Sequence, residues 1–318
     1  MKYIYSLRSA IDDLISGHNA YVIGEDVMEP YGGAFKVTKG LSEKYPGNII
    51  GVPMCEQGFT AMSVGMALMG GWVIEEIMFG DFITLTADQL VNHAAKFYEL
   101  YGQKLHLVVR TPSGGYRGYG ATHSQSIEKM FLGVPGLRVV APNIYCDPGD
   151  LLKSVMSDGK PTLFIENKLD YPKELILEDT DIFERRQTSG GVRISFSGET
   201  PELTIVTYGG IAEMAVETAK QLMYDEEIAA DVIAVTELSG LPERALGDLL
   251  RTDKIVIAEE GTGGFGYAAQ AASSLCGLGR TICTLSSMDS AIPSAETAER
   301  EVLVQQEDIF KACRALCV

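Results

Sequence analysis

The chain has 318 residues, of which 46% are hydrophobic and 22% charged, a composition typical of a globular protein long enough for two domains. A formal net charge of −17 argues against nucleic acid as a partner, because nonspecific binding depends on Lys and Arg side chains that neutralise phosphates. No basic amphipathic stretch suggests membrane binding, and the first residues lack the apolar core of a signal peptide. The six cysteines form no C-x-x-C pair, so we expect a cytoplasmic protein with reduced thiols and no zinc site.

Along the first half of the chain, short apolar runs alternate with helical patterns. The apolar runs predict strands at residues 21–24, 72–74, 105–109, 137–140 and 162–165. Their nearly continuous apolar character is typical of a parallel sheet that is covered on both faces. Helical patterns occupy residues 60–69 and 85–101.

A charged segment that contains Ser189-Gly190-Gly191 separates two such regions. Residues 176–202 show no helical period, and we interpret them as a linker or an edge segment. Beyond them, strands are predicted at 203–207, 232–235 and 255–258, with a helix over 211–223. The sequence therefore predicts an α/β protein with two domains, 1–175 and 203–318, each a mostly parallel sheet covered by helices.

The most informative short stretch is Val52-Pro53-Met54-Cys55-Glu56-Gln57-Gly58-Phe59. Glu56 ends a strand-like run and begins a helical one, and ligands of open α/β sheets bind at the carboxyl ends of strands. Apolar flanking side chains, Met54, Cys55 and Phe59, would partly desolvate its carboxylate and favour proton exchange with a ligand nitrogen. The alternative is a carboxylate that only stabilises the positive end of a helix.

A second stretch, residues 110–126, is a glycine-rich loop that follows a predicted strand. Its glycines allow the backbone to approach a ligand closely, and long loops of this kind inside compact domains are usually functional. The loop ends in His123, beside hydroxyl and amide groups that could fix the tautomer of the ring. The alternative is a surface loop with a solvated histidine.

Together with other segments, these stretches resemble one family. The matching segments are residues 25–41, 53–59, 76–82, 88–89, 123–126, 135–137 and 166–171. With these motifs the chain is similar to the β subunits of thiamine-diphosphate-dependent 2-oxoacid dehydrogenases. That family combines a pyrimidine-binding domain with a transketolase C-terminal-like domain, and the His-Ser-Gln box at residue 123 favours it over an undivided transketolase.

The resemblance implies roles for particular residues. Glu56 would protonate the pyrimidine ring nitrogen of thiamine diphosphate and so activate the cofactor. Phe82 would pack on the pyrimidine, with Met54 and Met78 lining the same pocket. His123 would lie near the reacting carbon and aid transfer of the acyl group to the acceptor.

The resemblance also implies a second chain. Relatives hold diphosphate and Mg²⁺ on an α subunit with a Gly-Asp-Gly segment, and no Gly-Asp-Gly occurs in this sequence. We therefore expect an α-like partner that holds the diphosphate and Mg²⁺, in an α2β2 heterotetramer, with a lipoyl acyltransferase as a further partner. Some relatives bind K⁺ in corresponding loops, which makes Leu107, Val155 and Asp158 the candidates for a potassium site.

The second half of the chain departs from the family pattern. Residues 259–264 have two glutamates where relatives carry a His or aromatic residue and a basic residue, and segments 236–242 and 286–293 also differ. In the family these loops lie toward the approach of the acceptor. Three functions therefore stay open: acyl transfer to a lipoyl group, a split transketolase-like carboligase or two-carbon transferase with another acceptor, and a non-catalytic scaffold subunit.

Overall fold

The structure is a computed structural model that describes residues 1–240, 242, 246–277 and 279–317. Leu241, in the divergent segment 236–242, and Val318, at the end of the second predicted domain, lie outside the described residues. The chain divides into two compact units. The first consists of residues 1–113, 133–140 and 147–175, and the second of the other described residues.

The first unit is built on a parallel sheet. Its strands are β1 (Tyr21–Gly24), β2 (Ile49–Gly51), β3 (Val73–Glu76), β4 (Leu107–Ser113), β5 (Arg138–Val140) and β6 (Thr162–Asn167). They lie in the order β2-β1-β3-β4-β6-β5, and the neighbouring strands are parallel. The strands predicted here are confirmed, whereas the three residues of β2 were too short a run to be recognised.

Helices cover this sheet. They are α1 (Tyr3–His18), α2 (Leu41–Lys44), α3 (Glu56–Leu68), α4 (Ala95–Tyr101) and α5 (Pro148–Asp158). The helix predicted over 60–69 is α3, which begins earlier, at Glu56. The predicted helix over 85–101 is present but changes type along its length: a 3₁₀ helix (Gly80–Thr86) and a π-helical stretch (Gln89–Ala94) precede α4.

The second unit contains a mixed sheet. Its strands are β7 (Phe183–Thr188), β8 (Gly191–Phe196), β9 (Leu203–Tyr208), β10 (Ala230–Val235), β11 (Lys254–Thr262) and β12 (Thr281–Ser287), in the order β12-β11-β9-β10-β8-β7. Strands β9 to β12 pair in parallel, and β7 and β8 form an antiparallel hairpin at one edge. The helices are α6 (Ile211–Glu226), α7 (Tyr267–Leu275), α8 (Glu296–Val302) and α9 (Gln306–Cys317). The prediction of two mostly parallel sheets with helices is confirmed.

The hairpin occupies the segment that we interpreted as a linker or an edge segment, and its two strands were not predicted. Strand β7 is largely polar, as suits an outermost strand, because charged side chains on an edge oppose pairing with another chain. Gly191 allows β8 to approach β10, since a Cβ atom there would lie 2.6 Å from the carbonyl oxygen of Ala234. Among the described residues, no helix is long and apolar enough to cross a membrane.

The strand order of the first sheet creates a site for a ligand. From β1 the chain continues to β2 on one side, and from β3 it continues to β4 on the other. Ligands of open α/β sheets bind outside the carboxyl ends of the strands at such a switch point. The residues that follow β1, β2 and β3 are therefore the first to consider.

Candidate active site

Two carboxyl groups lie at this edge of the first sheet. Glu25 directly follows β1, and Glu56 is the first residue of α3, shortly after the neighbouring strand β2. Glu25 is 7% exposed, and within the described part of the chain its Oε1 has no hydrogen-bond partner. Burial raises the pKa of Glu25, and the carboxylates of Glu56 and Asp26 raise it further. Glu25 is not predictable as a site residue from the sequence, because its nearness to Glu56 depends on the pairing of the two strands.

Glu56 occupies the start of a helix that has no side-chain cap. Cys55 is the N-cap residue, and its side chain makes no capping hydrogen bond. The exposed amide groups and the helix dipole favour a negative charge at this position. Glu56 is half-buried, but Met54 is 87% exposed and Cys55 is also exposed, so of the three flanking side chains only Phe59 is buried.

An aromatic cluster lies beyond the end of β3. Phe82 is half-buried in the 3₁₀ helix, with its ring 6.0 Å from that of Phe79 in an edge-to-face arrangement. Phe35 lies 5.8 Å from Phe79 and stacks on Tyr171 at 5.1 Å. Met78, also half-buried, precedes Phe79 in the same turn. A planar apolar ring could pack against Phe82 and Met78 at this edge.

A buried ion network supports the same edge from within the sheet. Arg110 on β4 donates to both carboxylate oxygens of Glu166 on β6, at 2.8 and 2.6 Å. It also pairs with Glu76 on β3, while the hydroxyl of Tyr171 donates to Glu166 at 2.6 Å. Arg110 is 1% exposed and Glu166 is fully buried. Such a network fixes the register of three adjacent strands.

The charges in this network shift one another's pKa values. Burial alone would lower the pKa of Arg110, but the Glu166 and Glu76 carboxylates outweigh it and raise that pKa. Burial raises the pKa of Glu76, and the Arg110 charge opposes the rise. No role was assigned to Arg110 in the sequence analysis. A charged residue within an otherwise apolar strand, as in Leu107-Val108-Val109-Arg110, is the signal that could have indicated it.

His123 belongs to the second unit, whereas Glu56, Phe82, Met78 and Met54 belong to the first. It is half-buried, and its Nδ1 lies 3.0 Å from the hydroxyl of Thr122. The hydroxyl can donate to Nδ1 or accept from it, so this contact orients the ring in either tautomer.

The loop that carries His123 is held by contacts with other residues of the second unit. Near the beginning of the loop, the amide of Gly115 donates to the carboxylate of Glu260, and the amide of Gly118 donates to Glu299 at 2.8 Å. The hydroxyl of Tyr116 donates to the backbone carbonyl of Val304 at 2.7 Å. The loop is therefore anchored at several points along its glycine-rich part.

The two divergent glutamates have structural roles. Glu259 accepts from the amide of Ala268 in the first turn of α7 at 3.1 Å, and from the hydroxyl of Ser286 at 3.0 Å. Its carboxylate therefore satisfies the amino end of that helix. Glu260 holds Gly115, at the start of the His123 loop. Glu260 therefore supports the start of the His123 loop in this chain.

A cavity of about 220 Å³ within the second unit lies between two of the divergent segments, 259–264 and 286–293. Its lining includes Gln125 and Ser126, which follow His123, and Glu260, Thr262 and Met288 from the segments that depart from the family pattern. Two of the three segments that the sequence indicated as important for the acceptor, 259–264 and 286–293, therefore meet in this cavity, and the described residues of segment 236–242 do not line it.

The potassium candidates are arranged around the carboxyl end of α5. The last carbonyl groups of a helix lack partners within it and carry partial negative charge, so Val155 and Asp158 could offer carbonyl oxygens to a cation. The side-chain carboxylate of Asp158 is paired with Arg138 at 2.7 Å. Leu107 begins β4. Among the described residues, no three His, Cys, Asp or Glu side chains form a metal-binding group.

Sequence comparisons agree with this architecture. Profiles of two families match the chain, "Transketolase, pyrimidine binding domain" over residues 6–174 and "Transketolase, C-terminal domain" over residues 193–309. The pyruvate dehydrogenase E1 component subunit beta-1 of Arabidopsis thaliana, described as mitochondrial, is 33% identical and aligns with 98% of this chain and 88% of its own length. The corresponding subunit beta of Rickettsia felis is 31% identical, with 98% and 97% covered.

Among solved structures, the fold is similar to a split-gene transketolase described as an inactive β4 tetramer. The TM-score is 0.73 at 16% identity, and the match covers 99% of this chain and 98% of that one. At this identity the likeness concerns the fold alone. The sequence relatives and the two domain profiles, in contrast, identify the family: the chain belongs to the β subunits of the thiamine-diphosphate-dependent 2-oxoacid dehydrogenases.

Proposed function

We propose that this chain is the cofactor-activating subunit of a two-chain enzyme that decarboxylates a 2-oxoacid and transfers the acyl group to a lipoyl acceptor. The observation that carries the proposal is the position of Glu56, at the uncapped start of α3 and beside the buried Glu25, at the ligand-binding edge of a parallel sheet. An acid in this position can exchange a proton with a ring nitrogen.

The residues at this edge fit the aminopyrimidine ring of thiamine diphosphate. Glu56 would protonate the ring nitrogen, and Phe82 and Met78 would pack against the ring, with Met54 closing the pocket. Oε1 of Glu25, which has no partner among the described residues, gives the site a second group for hydrogen bonding. When bound, thiamine diphosphate would supply a thiazolium carbon acidic enough to be deprotonated to a nucleophile, and a ring able to take up the electron pair released with CO₂. His123, whose Nδ1 contacts the Thr122 hydroxyl, would aid transfer of the acyl group.

A second chain completes the proposed enzyme. We propose an α-like subunit that carries the diphosphate and Mg²⁺ ligands, because the Gly-Asp-Gly segment is missing from this sequence. An α2β2 assembly would then contain the full site. A potassium ion held by backbone carbonyls near Leu107, Val155 and Asp158 would serve to order the end of α5.

One observation favours a different acceptor. The cavity beside the His123 loop is lined by residues 260–262, 287–288 and 290–292, from two of the segments that depart from the family pattern. A split transketolase-like carboligase or two-carbon transferase would keep the chemistry of Glu56 and change the group that receives the product.

The experiment combines the chain with a partner that contains Gly-Asp-Gly and measures two reactions in parallel. Acylation of a lipoyl domain from a 2-oxoacid supports the proposal. Transfer of a two-carbon unit to a sugar phosphate, without lipoyl acylation, supports the carboligase. If neither reaction responds to Glu56→Gln, the chain is a scaffold subunit and the proposal is wrong.

A further inference from the structure

Helix α3 contacts a buried carboxyl group, that of Glu75, which has no role in the proposed mechanism. Glu75 lies on the central strand β3, in register with Ile23 of β1 and Val109 of β4, and it is fully buried. One of its carboxyl oxygens, Oε1, lies 2.6 Å from the hydroxyl of Thr60 in the first turns of α3. The other, Oε2, has no hydrogen-bond partner within the described part of the chain.

The hydroxyl of Thr60 has two acceptors and a single proton. Its Oγ1 lies 2.6 Å from the backbone carbonyl oxygen of Glu56 and 2.6 Å from Oε1 of Glu75. If Glu75 is ionised, both neighbours are acceptors only, and Thr60 can donate to just one of them. If Glu75 is protonated, it donates to Thr60, and Thr60 donates to Glu56. Both short contacts are then hydrogen bonds.

The surroundings of Glu75 favour the protonated form. Burial raises its pKa to about 7, against the opposing effect of the nearby Ser63 and Thr60 hydroxyls, of which Ser63 donates to the backbone carbonyl of Phe59 at 3.0 Å. The neighbouring strands place Ile23 and Val109 beside it. The adjacent Glu76 points to the other face of the sheet by strand alternation, and it pairs with Arg110. No charged group of the described chain contributes to the shift, so an ionised Glu75 would be a buried charge without a counterion.

The first turn of α3 needs such support. Cys55 makes no capping hydrogen bond, and Gly58 adds backbone freedom within the turn. We propose that protonated Glu75 is a positioning residue for Glu56: it donates a hydrogen bond to Thr60, which donates to the Glu56 carbonyl and holds the first turn of α3. This inference rests on the proposed function of Glu56. Loss of the proton to solvent turns the Thr60 hydroxyl toward Glu75 and releases the turn.

The principal test uses Glu75→Gln and Glu75→Met in the enzyme assembled with its partner. The Gln amide keeps a donor at every pH, whereas Met has similar size and no donor. The readout is hydrogen–deuterium exchange at the thiazolium carbon from about pH 5 to about pH 9, compared with the parent at each pH. We expect the exchange rate of the parent to fall about fivefold relative to that of Glu75→Gln as Glu75 ionises. Glu75→Met should exchange about fivefold more slowly than Glu75→Gln at every pH. A factor of about five corresponds to the loss of one hydrogen bond.

Variants of Thr60 provide matched controls. Thr60→Ser keeps the hydroxyl and should behave as the parent, whereas Thr60→Val should behave as Glu75→Met. In the double variant Thr60→Val/Glu75→Met, cofactor exchange should be no slower than in either single variant, because both substitutions remove the same chain of hydrogen bonds. Glu128→Gln controls for the replacement of a buried acid, since burial raises the pKa of Glu128 to about 8 and it lies in the second unit. Equal exchange rates and pH profiles in parent and Glu75→Met would overturn the inference.

A second measurement needs no cofactor. Backbone amide exchange of a peptide covering the first turns of α3 is compared, at equal pH, for the purified chain and its two Glu75 variants. We expect amide exchange to be faster in Glu75→Met than in Glu75→Gln at every pH. Exchange in the parent should become faster than in Glu75→Gln once Glu75 ionises. If this pattern holds while Glu56→Gln leaves cofactor exchange unchanged, Glu75 still positions the turn and the proposed function of Glu56 is wrong. Identical amide exchange in all three proteins rejects the role of Glu75. The isosteric Gln variant preserves the test if Glu75→Met does not fold.

Discussion

Glu25 and Glu56 lie at the same edge of the first sheet, where burial raises the pKa of Glu25 and the Glu56 carboxylate raises it further. The parallel pairing of β1 and β2 brings together two acids that are far apart in the chain. This relationship distinguishes Glu56 from an ordinary carboxylate at the start of a helix, because a second, buried carboxyl group shares its site.

Replacing Glu25 by Gln should change how stability depends on pH. A raised folded-state pKa means that the folded chain binds this proton more tightly than the unfolded one, so the parent loses stability as pH rises from the ordinary Glu value through the raised value. Glu25→Gln lacks this loss. Urea unfolding at about pH 4 and about pH 7 should show that the free energy of unfolding of the variant increases relative to that of the parent at the higher pH. If the difference in free energy of unfolding between the two proteins is the same at both pH values, the pKa of Glu25 does not change on folding and the prediction is wrong.

Glu56→Gln, assembled with a partner, should lose most of the cofactor activation. The amide keeps the shape but cannot donate a proton and carry the resulting charge, and proton transfer by a positioned side chain contributes about 10²–10⁴-fold. The loss corresponds to about 3–5 kcal/mol of barrier lowering. The measurement is hydrogen–deuterium exchange at the thiazolium carbon. Gln57→Glu is the control, because it exchanges an amide and a carboxyl group at the neighbouring, exposed position. Unchanged exchange would mean that Glu56 has only a structural role.

His123→Ala should affect the step after decarboxylation. With partner present, we expect acyl transfer to the lipoyl domain to slow more than decarboxylation measured with an artificial oxidant. His93→Ala is the control, since His93 lies in the first unit with a side chain that is 46% exposed. An equal loss of both activities in His123→Ala would place the histidine at an earlier step.

Arg110→Met should destabilise the first unit strongly. Removing the guanidinium leaves Glu76 and Glu166 buried without their partner, and breaking a buried pair in this way costs about 3–5 kcal/mol. Arg138→Ala is the control, because its partner Asp158 is half-exposed and a surface pair contributes about 0–1 kcal/mol. Chemical denaturation measures both free energies. A similar small loss in the two variants would argue against the buried network as a support of the site.

Purified by itself, the chain should bind thiamine diphosphate weakly and show no turnover, because the proposed partner supplies the ligands for diphosphate and Mg²⁺. Calorimetric titration with and without Mg²⁺ tests this, and addition of a partner that contains Gly-Asp-Gly should produce binding. Tight, Mg²⁺-dependent binding by the isolated chain would contradict the division of the site between two subunits.

The local sequence was sufficient for the class of fold and for the position of Glu56 at the start of a helix. Nearly continuous apolar runs predict strands buried on both faces, and the change to a helical spacing after Glu56 predicts a strand–helix junction where ligands bind. These features are properties of a few adjacent residues. The polar strand β7 escaped prediction because it lies at an edge and is not covered on both faces, so it lacks the apolar pattern.

Only the tertiary structure placed Glu25 beside Glu56, Arg110 between two carboxylates and Glu75 beneath Thr60. Each of these relationships joins residues on different strands or layers, and so depends on strand order and register. A short apolar run specifies that a strand forms and which faces it buries. Which strand becomes its neighbour is decided by the packing of the whole unit, because the side chains that pair or repel across the sheet come from distant parts of the chain.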